Sequence, residues 1–478
     1  LDVYIATGLF MPSLDQSKPL TASSELADAA SHLGVRMVEC CLADFSSVAR
    51  GKRLATQEWV AQQGCKLPSV LLGMTITGGS PSQVFGPLLP AGYVDLELVP
   101  DLSTLVLRPG RTGEATVICD PSGSWWSESL GREVHAIEFS PRGALKRVVQ
   151  TYESQGMRAT VAPELEMFLL QREPDGHSVA SARSAVSSPV RERACDAYSL
   201  ERCSHFEPYF DELWQACESW GIPVSGYLHE AALSQFEVNF QPGAPLAQAD
   251  AVFRFKRLAR EIAARHGFLA SFAAKPFLDQ PGTGMHWHFS VQRTRSDDGA
   301  WPHLFATPEG APSPQMMHFI AGLQRHSPSA MVLYAPYDMS FDRIALSDAS
   351  PTHADWAHAD RQVAFRIPAS GPQSVRVENR LPGGDANPYL TVVSTLAFGL
   401  SGLNASLLPV DSKPEELALP RQLPDALTAL ESSGAVRDML GAPLIDLFVA
   451  LKRHEHQERA GLAEPRLDWD LRHLIELA

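Results

Sequence analysis

The chain is short of the features that mark several protein classes. Its seven cysteines (Cys40, Cys41, Cys65, Cys119, Cys195, Cys203 and Cys217) are odd in number and form no Cys-x-x-Cys pair. That fits free thiols in a reducing compartment and speaks against a disulfide framework or a zinc ribbon. Excess positive charge is also missing: 40 basic against 55 acidic residues leave a net charge of -15. So acidic a surface argues against nucleic acid or an anionic membrane as the main partner. No long apolar run is uninterrupted. The most membrane-like, residues 390–410, contains Ser, Thr, Gly and Asn and predicts a buried helix instead of a span. Residues 1–10 have no basic start and no small-residue cleavage pattern, so the expected location is the cytoplasm. Walker A, Rossmann and kinase patterns are absent, as are internal repeats. If a nucleotide binds, metal ions and arginines must handle its phosphates.

What the chain does have is length and a core. Its 478 residues, 45% of them hydrophobic and 20% charged, suffice for two or three folded domains. Residues 1–20 read as an arm. Residues 21–125 mix a short helix near 23–33 with strands at 35–44, 93–108 and 116–120, a small α+β unit. Residues 126–478 form a larger domain. It opens with a helix capped by Ser140 and started by Pro141. Further helices are predicted at 206–220, 249–266 and 314–327. A loop-rich stretch spans 335–370, and the chain is mostly helical from Asn387.

Four groups of residues carry chemistry. Pro281-Gly282-Thr283-Gly284 makes a turn before a strand on which His286, His288 and Ser290 share one face; two imidazoles and a hydroxyl there suit a metal or phosphate site. Glu164 and Glu166 share a face of an otherwise apolar strand. Side by side they repel, and burying both without a cation is costly, which favours a shared Mg²⁺ or Mn²⁺. Glu230 and Glu237 are seven apart, so they converge only across a turn or bulge. Arg376, Glu378 and Arg380 alternate on a strand, either as a salt-bridge ladder or as a metal ligand between two arginines that grip carboxylate or phosphate. Arg343, Arg361 and Arg366 lie just upstream.

In order, these pieces resemble the glutamine synthetase family. The carrying segments are Pro163–Phe168, His229–Glu237, Gly282–Ser290, Arg376–Arg380 with Ala386–Leu390, and Arg50–Lys52. The resemblance implies an α+β fold: a small β-grasp-like N-terminal domain, and a large catalytic domain whose curved antiparallel sheet, a partial barrel, is flanked by helices. It implies an ATP-dependent glutamate–amine ligase working through a γ-glutamyl phosphate, in a hexameric or dodecameric ring with active sites between subunits. Glu166, Glu230 and Glu237 would hold one divalent metal, Mg²⁺ or Mn²⁺. Glu164, His286 and Glu378 would hold a second. His288, Ser290 and Arg376 would face ATP. Arg343, Arg380 and the Gly282 backbone would bind glutamate. Arg361 and Arg366 would stabilise the transferring phosphoryl group, and Asp44 of a neighbouring subunit would line the amine entrance.

The sequence departs from the family at informative places. Asp348-Ala349-Ser350-Pro351 puts alanine where glutamine synthetases carry a flap glutamate that binds ammonium. Pro281 replaces an asparagine, and Met339-Ser340-Phe341-Asp342-Arg343 replaces an Asn-Ser-Tyr-(Lys/Arg)-Arg run. The Glu230-to-Glu237 segment looks closest to the γ-glutamyl-polyamine synthetase branch. These departures predict an organic amine as acceptor. An ordinary glutamine synthetase using ammonia is the alternative, with a non-catalytic family member as a third.

Overall fold

A computed structural model describes residues 23–176, 178–184, 186, 191–293, 302–346 and 350–478. The predicted arm, residues 1–20, lies outside them. The N-terminal part opens with helix Ser23–His32 and is built on β1 (Met37–Ala43), β2 (Ala49–Ala55), β3 (Cys65–Pro68), β4 (Asp95–Pro100), β5 (Val106–Leu107) and β6 (Glu114–Ser122). The strands lie in the order β2-β1-β6-β4-β3, with β5 beside β6. The β1–β6 pair is parallel and the others antiparallel. A hairpin, β7 (Ser124–Ser127) and β8 (Arg132–His135), leads out of it.

The larger sheet comprises β9 (Met157–Arg172), β10 (Val179–Ser181), β11 (Val224–His229), β12 (Gln235–Phe240), β13 (Leu269–Ser271), β14 (Met285–Arg293), β15 (Trp356–His358), β16 (Phe365–Ile367) and β17 (Val377–Asn379). Its order is β11-β12-β9-β14-β17-β16-β15, with β10 and β13 on β9. The sheet is curved and nearly closed, and it is antiparallel except for the β15–β16 pair at its edge. Alternation sets its two faces. Val161, Leu165 and Met167 of β9 and Met285, Trp287, Phe289 and Val291 of β14 are almost fully buried, which turns Glu164, Glu166, His286, His288 and Ser290 the other way.

Helices pack on the apolar side. Ser140 caps helix Pro141–Ser154 by accepting from the Gly143 N–H, as its sequence predicts. Helices Pro314–Tyr334 and Pro388–Ala405 cross where both chains carry glycine. A Cβ on Gly322 would lie 2.1 Å from Phe398 O, and one on Gly402 2.0 Å from His318 O; only glycine permits this backbone contact. The second of these helices is the apolar run of the sequence. Among the described residues no helix is long and apolar enough to cross a membrane.

Two expectations need correction. The helix from Pro314 does not end at Ser327 but continues through Pro328 to Tyr334. Burial of Met331, Leu333 and Tyr334 outweighs the hydrogen bond that proline removes. The stretch 335–370 is not simply loop: it holds helix Asp338–Ala345 and strands β15 and β16. The seven cysteines are all free, and only Cys195 is exposed.

Candidate active site

Strand register brings the chemistry together. Across β12 and β9, Glu237 stands opposite Glu166, and Asn239 opposite Glu164. Across β9 and β14, Glu164 stands opposite His286. Across β14, β17 and β16, His288 faces Glu378, which faces Arg366. Glu230 arrives by the turn that its spacing required. The chain reverses between β11 and β12 with Ser234 at φ +54°, and the Glu230 N–H donates to Gln235 O at 2.8 Å.

The acids form two groups. Glu166, Glu230 and Glu237 each offer an oxygen within 4.8 Å of the others. Burial and the Glu230 carboxylate push Glu166 up to about 7. Burial and the Glu164 carboxylate push Glu237 up to about 8, and burial raises Glu230. Neutral donors hold this trio in place. Gln235 Nε2 donates to Glu166 Oε2 at 3.1 Å and to Gly282 O at 2.8 Å. The Gly284 N–H meets Glu166 Oε2 at 2.8 Å, and Asn239 Nδ2 meets Glu237 Oε1 at 2.8 Å. The functional reading of the sequence passed over Gln235 and Asn239. Their signal was there, since each sits two residues from Glu237 on the face that looks into the site.

The second group is Glu164, His288 and Glu378, again with one atom each within 4.8 Å of the others. His288 Nε2 lies 2.8 Å from Glu164 Oε1. Arg376 Nε donates to His288 Nδ1 at 3.2 Å, so the ring proton sits on Nε2 and points at Glu164. Burial raises Glu164, but the His288 bond and the Arg380 and Arg361 charges outweigh it and leave its pKa below the usual value. Glu378 is completely buried between Arg366, at 2.8 Å, and Arg380. The resemblance gives the second metal His286 in place of His288. His286 shares the face, with Nδ1 3.7 Å from Glu378 Oε1. Burial and the Arg380 and Arg343 charges hold it well below its ordinary pKa, hence neutral and able to ligate.

A cavity of about 410 Å³ opens beside this group, lined by Glu164, His288, Ser290 and Arg376 together with His303 and Gln373. Beside the first group, Gly282 packs against Arg343. A Cβ there would sit 2.2 Å from Ala274 O and 3.0 Å from Arg343 Cγ, so any side chain would collide with the Ala274 carbonyl and press on the arginine. Arg343 Nη1 donates to Leu381 O at 3.1 Å, and Arg380 Nε to Arg361 O at 3.0 Å. Arg361 is exposed, and its charge reaches both Glu164 and Glu230.

Asp44 is not part of this arrangement. It is 4% exposed and its side chain is held locally by the Ser46 and Val48 N–H groups and by Arg50 Nε at 2.8 Å. The flap residues Asp348 and Ala349 lie outside the described residues.

The donors fit divalent cations. Three carboxylates this close, half-buried and raised by burial and by neighbouring acids, are bonded by no cationic side chain among the described residues, and hard oxygen ligands match Mg²⁺ or Mn²⁺. Glu164 and Glu378 with either imidazole make a mixed oxygen–nitrogen set for a second ion.

Comparison with known proteins agrees. Residues 138–470 match the glutamine synthetase catalytic domain. The chain is 30% identical over 445 residues to γ-glutamylputrescine synthetase of Escherichia coli (strain K12), covering 91% of each. It is 31% identical over 373 residues to glutamate–isopropylamine ligase of a Pseudomonas species, covering 77% of this chain and 78% of that one. A ligand-free structure of GmaS superposes with a TM-score of 0.75 at 27% identity, covering 93% of this chain and 98% of that one. The chain therefore belongs to the glutamine synthetase family and is an ATP-dependent ligase.

Proposed function

We propose that the protein joins the γ-carboxylate of glutamate to an organic amine, converting ATP to ADP and phosphate through a γ-glutamyl phosphate. The observation that carries this reading is the pairing of two acid groups across adjacent strands, with a cavity lined by Glu164 and His288 of the second and Arg343, packed on Gly282, acting on Glu166 of the first. Glu166, Glu230 and Glu237 would hold one divalent cation. Glu164, Glu378 and His286 would hold a second, leaving His288 with Ser290 and Arg376 to face ATP. Bound there, Mg²⁺ or Mn²⁺ would offset phosphate charge.

The protein's own groups supply the rest. Arg343 and Arg380 grip the carboxylates of glutamate. Arg366, bonded to Glu378, and Arg361, whose charge reaches Glu164 and Glu230, would lower the energy of the phosphoryl group as its charge redistributes. A carboxylate is a poor electrophile, whereas the acyl phosphate is attacked by an unprotonated amine, and phosphate leaves. We place the active sites between subunits of a ring, with Asp44 of one subunit lining the amine entrance of the next. Support for an organic amine comes from Ala349. It removes the anionic flap group suited to the small ammonium cation and frees volume. The named activities of the putrescine and isopropylamine relatives point the same way.

The test is to incubate the purified protein with glutamate, ATP and Mg²⁺ across ammonia, methylamine, isopropylamine and putrescine, following phosphate release and product mass. A γ-glutamylamide formed with higher kcat/KM than glutamine is the expected result. Ammonia as the best acceptor would make the protein an ordinary glutamine synthetase. No ATP turnover with any acceptor, despite bound metal, would make it a non-catalytic family member.

A further inference from the structure

The C-terminal segment has no role in the site as described, yet it supports the glutamate side from beneath. Residues Arg466–Leu474 form a π-type helix that continues into Ile475–Leu477. Trp469, Leu474 and Ile475 are buried in a small apolar cluster, separate from the main core, with Phe168 of β9, Ala232 of the Glu230 turn and Met339 of helix Asp338–Ala345. Each element in that contact carries a residue of the site: Glu164 and Glu166 on β9, Glu230 at the turn, Arg343 on the helix.

Arg466 stands where this segment begins. Its Nη2 donates to Lys275 O at 2.6 Å and to Pro276 O at 2.9 Å, and its Nη1 to Asp342 Oδ2 at 3.3 Å. Lys275 and Pro276 open the loop that runs to Gly282, and Asp342 immediately precedes Arg343. One guanidinium thus joins the two arms that meet where Gly282 packs on Arg343. The loop is tied further inward, because Lys275 Nζ donates to Gln280 O, and Gln280 Oε1 accepts from the Leu233 N–H at 3.0 Å. The ion pair alone adds little, with side chains 26% and 38% exposed. The two bonds from a charged nitrogen to backbone carbonyls are the stronger part. Lysine has no planar fork with which to hold all three acceptors in fixed directions.

We propose that Arg466 is a positioning residue that sets the spacing between the Gly282 loop and Arg343, and so governs affinity for glutamate. The proposal rests on the assignment of glutamate to Arg343 and Gly282. It acts on binding of one substrate, since Arg466 bonds Asp342, Lys275 and Pro276, none of which lines the cavity beside His288.

The experiment compares wild type, Arg466→Ala, Arg466→Lys and Asp342→Asn by KM for glutamate, KM for ATP and kcat, with a melting curve for each. For R466A the KM for glutamate should rise about tenfold while the KM for ATP stays within about twofold. R466K should recover part of the loss, and D342N should raise the KM for glutamate by about twofold. If R466A does not fold, R466K and D342N carry the same comparison. An unchanged KM for glutamate in the folded variants, or an equal rise in both KM values, overturns the positioning role. Wild-type protein that turns over ATP without using glutamate overturns the glutamate assignment, and this proposal with it. Normal wild-type turnover with unaffected variants overturns this proposal alone.

Discussion

The two acid groups sit on neighbouring strands and are built on opposite electrostatic principles. Glu166, Glu230 and Glu237 are held by the backbone N–H groups of Gly284 and Ala231 and by the carboxamides of Gln235 and Asn239. Among the described residues no guanidinium or ammonium bonds them, and all three pKa values rise. Glu164 and Glu378 have partners of their own: His288 on the first, Arg366 and Arg380 on the second. The chain therefore offsets the charge of the second group by itself and leaves that of the first without a bonded cation among the described residues. A site that must grip a metal firmly and also handle a moving phosphate has use for both arrangements.

The largest effect expected from this contrast is on turnover. Glu166→Ala or Glu237→Ala should lower kcat by at least about a thousandfold, measured as phosphate release at saturating Mg²⁺. Stability should separate the groups in the other direction. Glu378→Gln leaves two buried guanidiniums without their anion and should destabilise the metal-free protein by about 3 kcal/mol in urea unfolding. Glu237→Gln removes one of three mutually repelling charges and should stabilise it by about 1 kcal/mol at pH 9. If both variants destabilise equally, the contrast is broken.

A smaller effect is expected from pH. The folded-state pKa values of Glu166 and Glu237, about 7 and about 8, lie above those of the unfolded chain, so the native state binds the extra protons between them. Their contribution to stability is complete below the unfolded carboxylate range and is lost as pH rises through 7 and 8. The metal-free protein should thus melt lower at pH 9 than at pH 6. Mn²⁺ should reverse most of that loss in wild type and little of it in Glu237→Gln. A melting temperature that rises from pH 6 to pH 9 without metal would contradict the reading of the first group.

Much of this arrangement was legible in the sequence because strand alternation is rigid. His286, His288 and Ser290 share a face because Met285, Trp287 and Phe289 must fill the other. The Glu230-to-Glu237 spacing lets the two acids converge only across a turn or bulge, and a turn with Ser234 at positive φ joins them. What alternation cannot reveal is distance across strands. His286 and His288 are equivalent by pattern, and only register shows His288 opposite Glu378 and 2.8 Å from Glu164. Helix Asp338–Ala345 was unreadable for a different reason. Eight residues are too few to be stable alone, and it is held by burial of Met339, Phe341 and Ile344. Arg466 belongs to that tertiary layer too: its acceptors lie 124 and about 190 residues away in sequence, and no local motif announces them.

Whether this site prefers an organic amine to ammonia is tested most directly by competition: glutamate, ATP and Mg²⁺ with ammonia and one organic amine present together at equal concentration, repeated for methylamine, isopropylamine and putrescine, and product ratios read by mass. The γ-glutamylamide should exceed glutamine for at least one amine. Glutamine in excess over every γ-glutamylamide would contradict it.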